Sequence, residues 1–302
     1  MKNDTLIVCP QCHAKFSHID DTHWKCGKCG YTAQVINKIP VFSDYPANLQ
    51  PSEKIARCAE QGSIWRRFNW KFLEQTAALL NPEAEVLDIG AGRGDFKTIF
   101  ARSRYTGLDI YPYPELDLAV DLIKVCPFNE ESFDLIVMAN VIEHVYDYRT
   151  LVGRAAKLLK PGGKLLITVP FLLKLHQEPV DFHRYTRYAL EQLARENGLA
   201  VEVLDGYYNP LAILDEGIGN AWEYCLPQTS GFVKLLTKIC IFGSQKLSNY
   251  LKKFLGNGYT APAEKEANPN VLGYQCIFIK DFSRNEIEGN KLLRHEKNLS
   301  ND

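Results

Sequence analysis

Four cysteines near the start of the chain have the spacing of a metal site. Cys9-Pro10-Gln11-Cys12 and Cys26-Gly27-Lys28-Cys29 form two C-x2-C pairs with thirteen residues between them. Two such knuckles can present four thiolates tetrahedrally to Zn2+. Four protein ligands leave no open coordination position, so the expected role is structural. His13, His18 and His23 lie nearby and read as surface residues. A second chemical feature is the run Val86-Leu87-Asp88-Ile89-Gly90-Ala91-Gly92-Arg93-Gly94-Asp95-Phe96. Glycines directly after an apolar strand let the backbone approach a ligand, and the next helix points its N-terminus at it. The dinucleotide fingerprint needs a third glycine where this chain has Asp95. An acid there would repel a pyrophosphate, whereas a ligand with an ammonium and a sulfonium would tolerate it. Asp88 and Asp109 fit the same preference. Proton-transfer groups gather at Glu143-His144 and in the run from His176 to Tyr185, which includes Asp181, His183 and Arg184.

These groups need elements to hold them. Short β-branched runs alternate with helical ones from about Glu83 to Tyr208, the pattern of βαβ units around a parallel sheet. Strands are expected over Glu85–Ile89, Tyr105–Ile110, Leu118–Leu122, Phe133–Ala139, Lys164–Val169, Leu199–Leu204 and Gly273–Lys280. Helices are expected over Asp95–Arg102, Tyr148–Leu159 and Thr186–Asn197, the last closed by Gly198. Pro161-Gly162-Gly163 reads as a turn. The stretch Ser52–Asn81 carries Trp65, Phe68, Phe72, Ala77 and Leu80 roughly at helical spacing.

Five segments in order carry a family resemblance. They are the glycine-rich run above, Gly107-Leu108-Asp109-Ile110, Asp121 with the later Cys126–Asp134, Asn140-Val141-Ile142-Glu143-His144-Val145, and Leu159-Lys160-Pro161-Gly162-Gly163-Lys164-Leu165. Over about Glu83 to Lys280 the chain resembles the class I S-adenosylmethionine-dependent methyltransferases. The resemblance implies an α/β, Rossmann-like fold with a seven-stranded, mostly parallel sheet and helices on both faces. A small N-terminal zinc ribbon and a helical insertion before the last strand would complete it. It also implies S-adenosyl-L-methionine as cofactor, beside the structural Zn2+ on Cys9, Cys12, Cys26 and Cys29. Gly90 and Gly92 would contact the methionine part, with Asp88 near its ammonium. Asp109 would hold the ribose hydroxyls, Ile110 would pack on the adenine, and Asp121 would accept from the exocyclic amine with Leu122 beside the ring. Asn140 would stand at the methionine side. His183 and His144 are the candidate bases, with loop organisation and packing as their bland alternatives. A divalent ion near Glu143-His144 would lack one acid, since Asn140 stands where it would help.

The expected divisions are a ribbon over 1–44, a helical linker over 45–82, a cofactor-binding domain over 83–282 with an insertion at about 209–270, and a charged, disordered tail over 283–302. Within the insertion, 231–255 holds five lysines and no acid among many apolar residues. Such a helix can cover a substrate pocket or lie on a membrane surface. The formal net charge of −1 gives no electrostatic case for wrapping nucleic acid. No signal peptide or membrane-spanning run is visible, and the scattered remaining cysteines suit a cytoplasmic protein, including one at the inner face of the membrane. The leading expectation is methylation of a small molecule, a sugar or a lipid-linked glycan intermediate. RNA base methylation with the ribbon gripping RNA is a second reading, and a non-catalytic zinc-binding adaptor a third.

Overall fold

The run Glu85–Ile89 has the β-branched, apolar character of a strand buried on both faces, and it sits at the centre of one large sheet. The computed structural model describes residues 6–45, 58, 62–208, 210–255 and 271–281. The expected tail at 283–302 and most of the 45–62 stretch lie outside the described residues. Eleven strands are present among the described residues: β1 (His18–Ile19), β2 (His23–Lys25), β3 (Thr32–Ile36), β4 (Ile39–Val41), β5 (Glu85–Ile89), β6 (Arg104–Asp109), β7 (Leu118–Ala119), β8 (Phe133–Ala139), β9 (Leu159–Pro170), β10 (Leu199–Tyr207) and β11 (Gly273–Lys280). Their order is β1-β2-β3-β4-β7-β6-β5-β8-β9-β11-β10.

The seven strands expected after residue 83 are β5 to β11. The sheet itself is larger and mixed, because β1 to β4 of the cysteine ribbon extend it beyond β7. The junction is one parallel step, Val41 opposite Ala119. It covers the outer edge of β7, which would otherwise offer unpaired N–H and C=O groups. Strand β11 runs antiparallel to both neighbours, β9 and β10.

Helices pack on both faces, as the alternation implied. On one face α2 (Tyr148–Leu158) and α3 (Arg187–Glu196) bury Leu151, Val152, Ala155, Leu190, Leu193 and Ala194 in the main core. On the other, α1 (Ile64–Ala78) lays Trp70 and Leu73 over Val86, Leu135, Val137 and Leu166. Ser63 caps α1 by accepting from the Arg66 N–H, and Thr186 caps α3 by accepting from the Ala189 N–H. The helix expected over Asp95–Arg102 is only a 3-10 turn, Lys97–Phe100, because the glycine-rich turn stays left-handed as far as Gly94 (φ +73°). The third strand of the domain shrinks to two residues. The Pro161-Gly162-Gly163 turn is absorbed into β9 as an irregularity in its pairing with β8.

The described residues of the insertion form two helices, α4 (Pro210–Asn220) and α5 (Gly231–Leu255), joined by a π-helical turn and a 3-10 turn. The periodicity of the basic stretch located α5; α4 was not foreseen. Ile213 anchors α4 in a cluster with Trp65, Tyr207 and Leu272, so the insertion is fixed beside the carboxyl ends of the strands.

Candidate active site

The turn after β5 is built by conformations that side chains resist. Gly90 has φ +69°, and a Cβ there would meet Val141 Cγ2 at 2.6 Å. Gly92 has φ +56° and faces open space. Across from it, Asp109 at the end of β6 accepts hydrogen bonds from the Gly92 and Tyr111 N–H groups, both at 3.1 Å. Burial pushes the Asp109 carboxyl up to about 6, against the lowering effect of those backbone donors. Ile110 and Asp121 are half-buried on the same side of the sheet. Asp121 Oδ1 accepts from the Ile123 N–H, and its Oδ2 lies 3.3 Å from Lys124 Nζ.

Two residues expected to touch a cofactor are turned into the core. Asp88 is 1% exposed, with Oδ2 accepting from the Tyr105 hydroxyl at 2.7 Å and Oδ1 unpartnered. Burial raises its carboxyl to about 7, with Asp109 and Asp95 adding to the shift against the Tyr105 bond. Leu122 is 2% exposed within the main core and does not open on the cleft. Strand alternation turns Asp88 to the Tyr105 side, whereas Leu122 lies past β7 in a turn that packs against the core.

Asn140, just past β8, has φ +57°, an uncommon conformation for any residue but glycine and one that asparagine tolerates best. Its Oδ1 accepts from Trp65 Nε1 at 2.7 Å, which ties the first turn of α1 to the mouth of the cleft. Strained backbone of this kind concentrates at functional sites.

Beyond Asn140 lies a buried polar cluster. Glu143 is fully buried, neither carboxylate oxygen has a hydrogen-bond partner, and burial raises it to about 8. His144 donates from Nδ1 to the Val180 carbonyl at 2.9 Å, which leaves the lone pair on Nε2. Nε2 has no partner and stands 3.7 Å from Glu143 Oε1. Burial lowers the His144 imidazole below its ordinary value, so it is held neutral. The His176 ring packs edge-on at 4.8 Å. One ligand atom from each of Glu143, His144 and His176 falls within a 4.8 Å span. Asp181 braces the loop, accepting from the His176 N–H at 2.9 Å and pairing with Arg184 at 2.6 Å. His183 is half-buried, and its Nε2 faces the Tyr146 carbonyl at 3.2 Å. That bond and the His183 N–H to the Glu143 carbonyl make it an organiser of the loop. The approach of His176 to His144 across the loop is tertiary and left no trace in spacing.

The four ribbon cysteines converge as their spacing predicts. Their sulfurs lie within 4.8 Å of one another, with Cys9–Cys29 at 3.4 Å and Cys12–Cys26 at 3.5 Å. A tetrahedron of thiolates at ~2.3 Å from Zn2+ needs sulfurs roughly 3.8 Å apart. The donor set therefore fits that ion.

A glycine turn facing an acid across the carboxyl ends of two parallel strands defines a nucleoside-cofactor-binding α/β domain. A family model described as a methyltransferase domain matches residues 63–254, and the chain belongs to that family. The demethylmenaquinone methyltransferase of Tropheryma whipplei is 34% identical over 150 residues, covering 45% of this chain and 59% of that protein. The human mitochondrial ubiquinone biosynthesis O-methyltransferase is 27% identical over 166 residues, covering 42% of this chain and 45% of its own. The chain thus spans about half the length of the curated relatives it matches. Among solved structures, a putative sarcosine dimethylglycine methyltransferase from Galdieria sulphuraria aligns with a TM-score of 0.46 at 15% identity, covering 76% of this chain and 92% of that one.

Proposed function

We propose that this protein is an S-adenosylmethionine-dependent methyltransferase acting on a small, lipid-soluble or lipid-linked acceptor. The observation that carries the reading is the Gly90–Gly92 turn facing Asp109, in a chain of the methyltransferase-domain family. The bound cofactor supplies a sulfonium methyl with an excellent leaving group. Positioning is then the protein's main contribution. Asp109 holds the ribose hydroxyls, Ile110 and Asp121 take the adenine, and the backbone at Gly90 and Gly92 takes the methionine part. Asn140 stands at that end, locked by Trp65. Asp88 sits beneath the turn, held by the Tyr105 hydroxyl.

An oxygen acceptor needs a proton sink. His144 fits better than His183, because its Nε2 lone pair is free in a buried, neutral ring. The same unpartnered cluster supports a second reading of acceptor activation. Glu143, His144 and His176 are a donor set for a divalent cation, with His176 completing what Asn140 does not. Four thiolates of the ribbon hold Zn2+ as a structural ion.

Lipid character of the acceptor is supported by the relatives, which are named for demethylmenaquinone and for ubiquinone biosynthesis. Helix α5 supports it too. Its apolar side chains point outward: Phe232, Val233, Leu235, Ile239, Phe242 and Leu247 are all more than half exposed. The inward stripe is Lys234, Thr237, Ile241, Ser244, Ser248 and Leu251. An anionic bilayer surface would cover the apolar side chains and pair with the lysines. No helix among the described residues is long and apolar enough to cross a membrane.

The test is transfer of label from methyl-labelled cofactor into fractionated cell extract. Label is expected in the organic-soluble small-molecule fraction. Label confined to RNA would overturn the acceptor class in favour of the RNA reading.

A further inference from the structure

The matched family region begins at residue 63, yet one wall of the cleft is supplied from before it. Ribbon strand β4 and the residues after it reach the segments that follow β6 and β7. The Phe42 N–H donates to the Ala119 carbonyl at 2.9 Å. Ser43 Oγ accepts from the Asp121 N–H at 2.7 Å, at the residue expected to read the adenine. Asn37 Nδ2 donates to the Pro112 carbonyl at 2.7 Å. Ile39 and Val41 pack with Ala91 of the glycine turn and with Tyr111, Tyr113 and Leu116. The Tyr45 ring meets Tyr111 edge-on at 5.8 Å. These contacts fall on the glycine turn, on β7 and on the segments that follow β6 and β7.

The same strand is tied to the cysteines. The Cys26 N–H donates to the Tyr31 carbonyl at 2.9 Å, and the Tyr31 hydroxyl donates to the Phe42 carbonyl at 3.2 Å. Phe16, Trp24 and Phe42 pack ring to ring at 5.5–6.4 Å, and Trp24 is 1% exposed. A module this small rarely holds its geometry from its own core, so metal binding supplies folding free energy. Anything that loosens the thiolate cluster therefore loosens Tyr31 and Phe42, and with them the backbone at Ala119 and Asp121.

We propose that the cysteine ribbon is the adenosine wall of the cofactor cleft, so that metal loading of Cys9, Cys12, Cys26 and Cys29 sets cofactor affinity. The ribbon is then a binding element of the enzyme. Ser43 is its positioning residue, acting on the ligand through Asp121. The inference rests on assignment of the cofactor to this cleft, and the experiment separates the two.

S-adenosylhomocysteine is titrated calorimetrically into the full chain, first zinc-loaded and then stripped with a chelator, with zinc content measured on each sample. The loaded protein should bind, and the stripped protein should bind at least tenfold more weakly, with recovery when zinc is restored. Equal dissociation constants for loaded and stripped protein would overturn the proposal. No binding by the loaded protein would instead overturn the cofactor assignment itself. Ser43→Ala leaves the thiolates untouched and provides the finer probe. It should keep its zinc and bind about three- to tenfold more weakly, the range expected for one lost hydrogen bond. Retained zinc with wild-type affinity in Ser43→Ala would refute the link through Asp121.

Discussion

Asp109→Asn should move stability and cofactor affinity in opposite directions. The Asp109 carboxyl titrates at about 6 in the fold against 3.8 as its ordinary value. An acid raised in the folded state contributes stability below its unfolded pKa and loses it as pH rises through the folded one. A shift of about two units corresponds to roughly 3 kcal/mol of destabilisation at pH 8. Asparagine removes that charge. Its one carbonyl oxygen can accept from only one of the two donors, Gly92 N–H and Tyr111 N–H, a loss the net shift already includes. The net expectation is a variant stabilised by roughly 3 kcal/mol at pH 8. At pH 4.5 the stabilisation falls to about 1 kcal/mol. Charge-assisted bonds to the ribose hydroxyls are lost meanwhile, at about 1.5–3 kcal/mol, or roughly ten- to 150-fold in affinity. Denaturant unfolding at both pH values and calorimetric titration with S-adenosylhomocysteine read the two effects. A variant less stable than wild type at pH 8, or one that binds as wild type does, would refute the reasoning.

Other perturbations address the remaining parts of the site. Gly90→Ala places a methyl 2.6 Å from Val141 Cγ2 at a φ of +69°, and should cost about 1–3 kcal/mol in unfolding free energy while weakening cofactor binding. Unchanged unfolding would contradict the close approach. Mn2+ should raise the melting temperature of the wild type and leave that of Glu143→Gln unmoved, if the Glu143–His144–His176 cluster takes a divalent cation; equal shifts in both would discard that reading. Replacing Phe232 and Ile239 together by serine should leave the melting temperature within about 2 °C, since both are exposed. The same pair should lower co-sedimentation with phosphatidylglycerol-containing vesicles several-fold, and unaltered sedimentation would remove the membrane contact.

Legibility in the sequence followed the physics of each feature. Local pattern located β8, β11 and α5 at their ends, because buried β-branched runs and a sustained basic amphipathic period are single-segment properties. The cysteine spacing likewise brought Cys9, Cys12, Cys26 and Cys29 together. Tertiary choices were not legible. Asp88 lies inside the motif, but its turn into the core toward Tyr105 depends on the register of β5 beside β6. His176 reaches His144 because the loop folds back onto Glu143 and His144, and the Trp65 to Asn140 bond spans 75 residues. The junction of β4 with β7 is a single residue pair, too short to carry a pattern.

The central claim is that the cleft between Gly90 and Asp109 binds S-adenosylmethionine rather than a dinucleotide. Side-by-side calorimetric titration of the zinc-loaded chain with S-adenosylhomocysteine and with NAD tests it most directly. Saturable binding of S-adenosylhomocysteine, with no heat from NAD, is the expected result. Binding of NAD in its place, or binding of neither, would contradict the account.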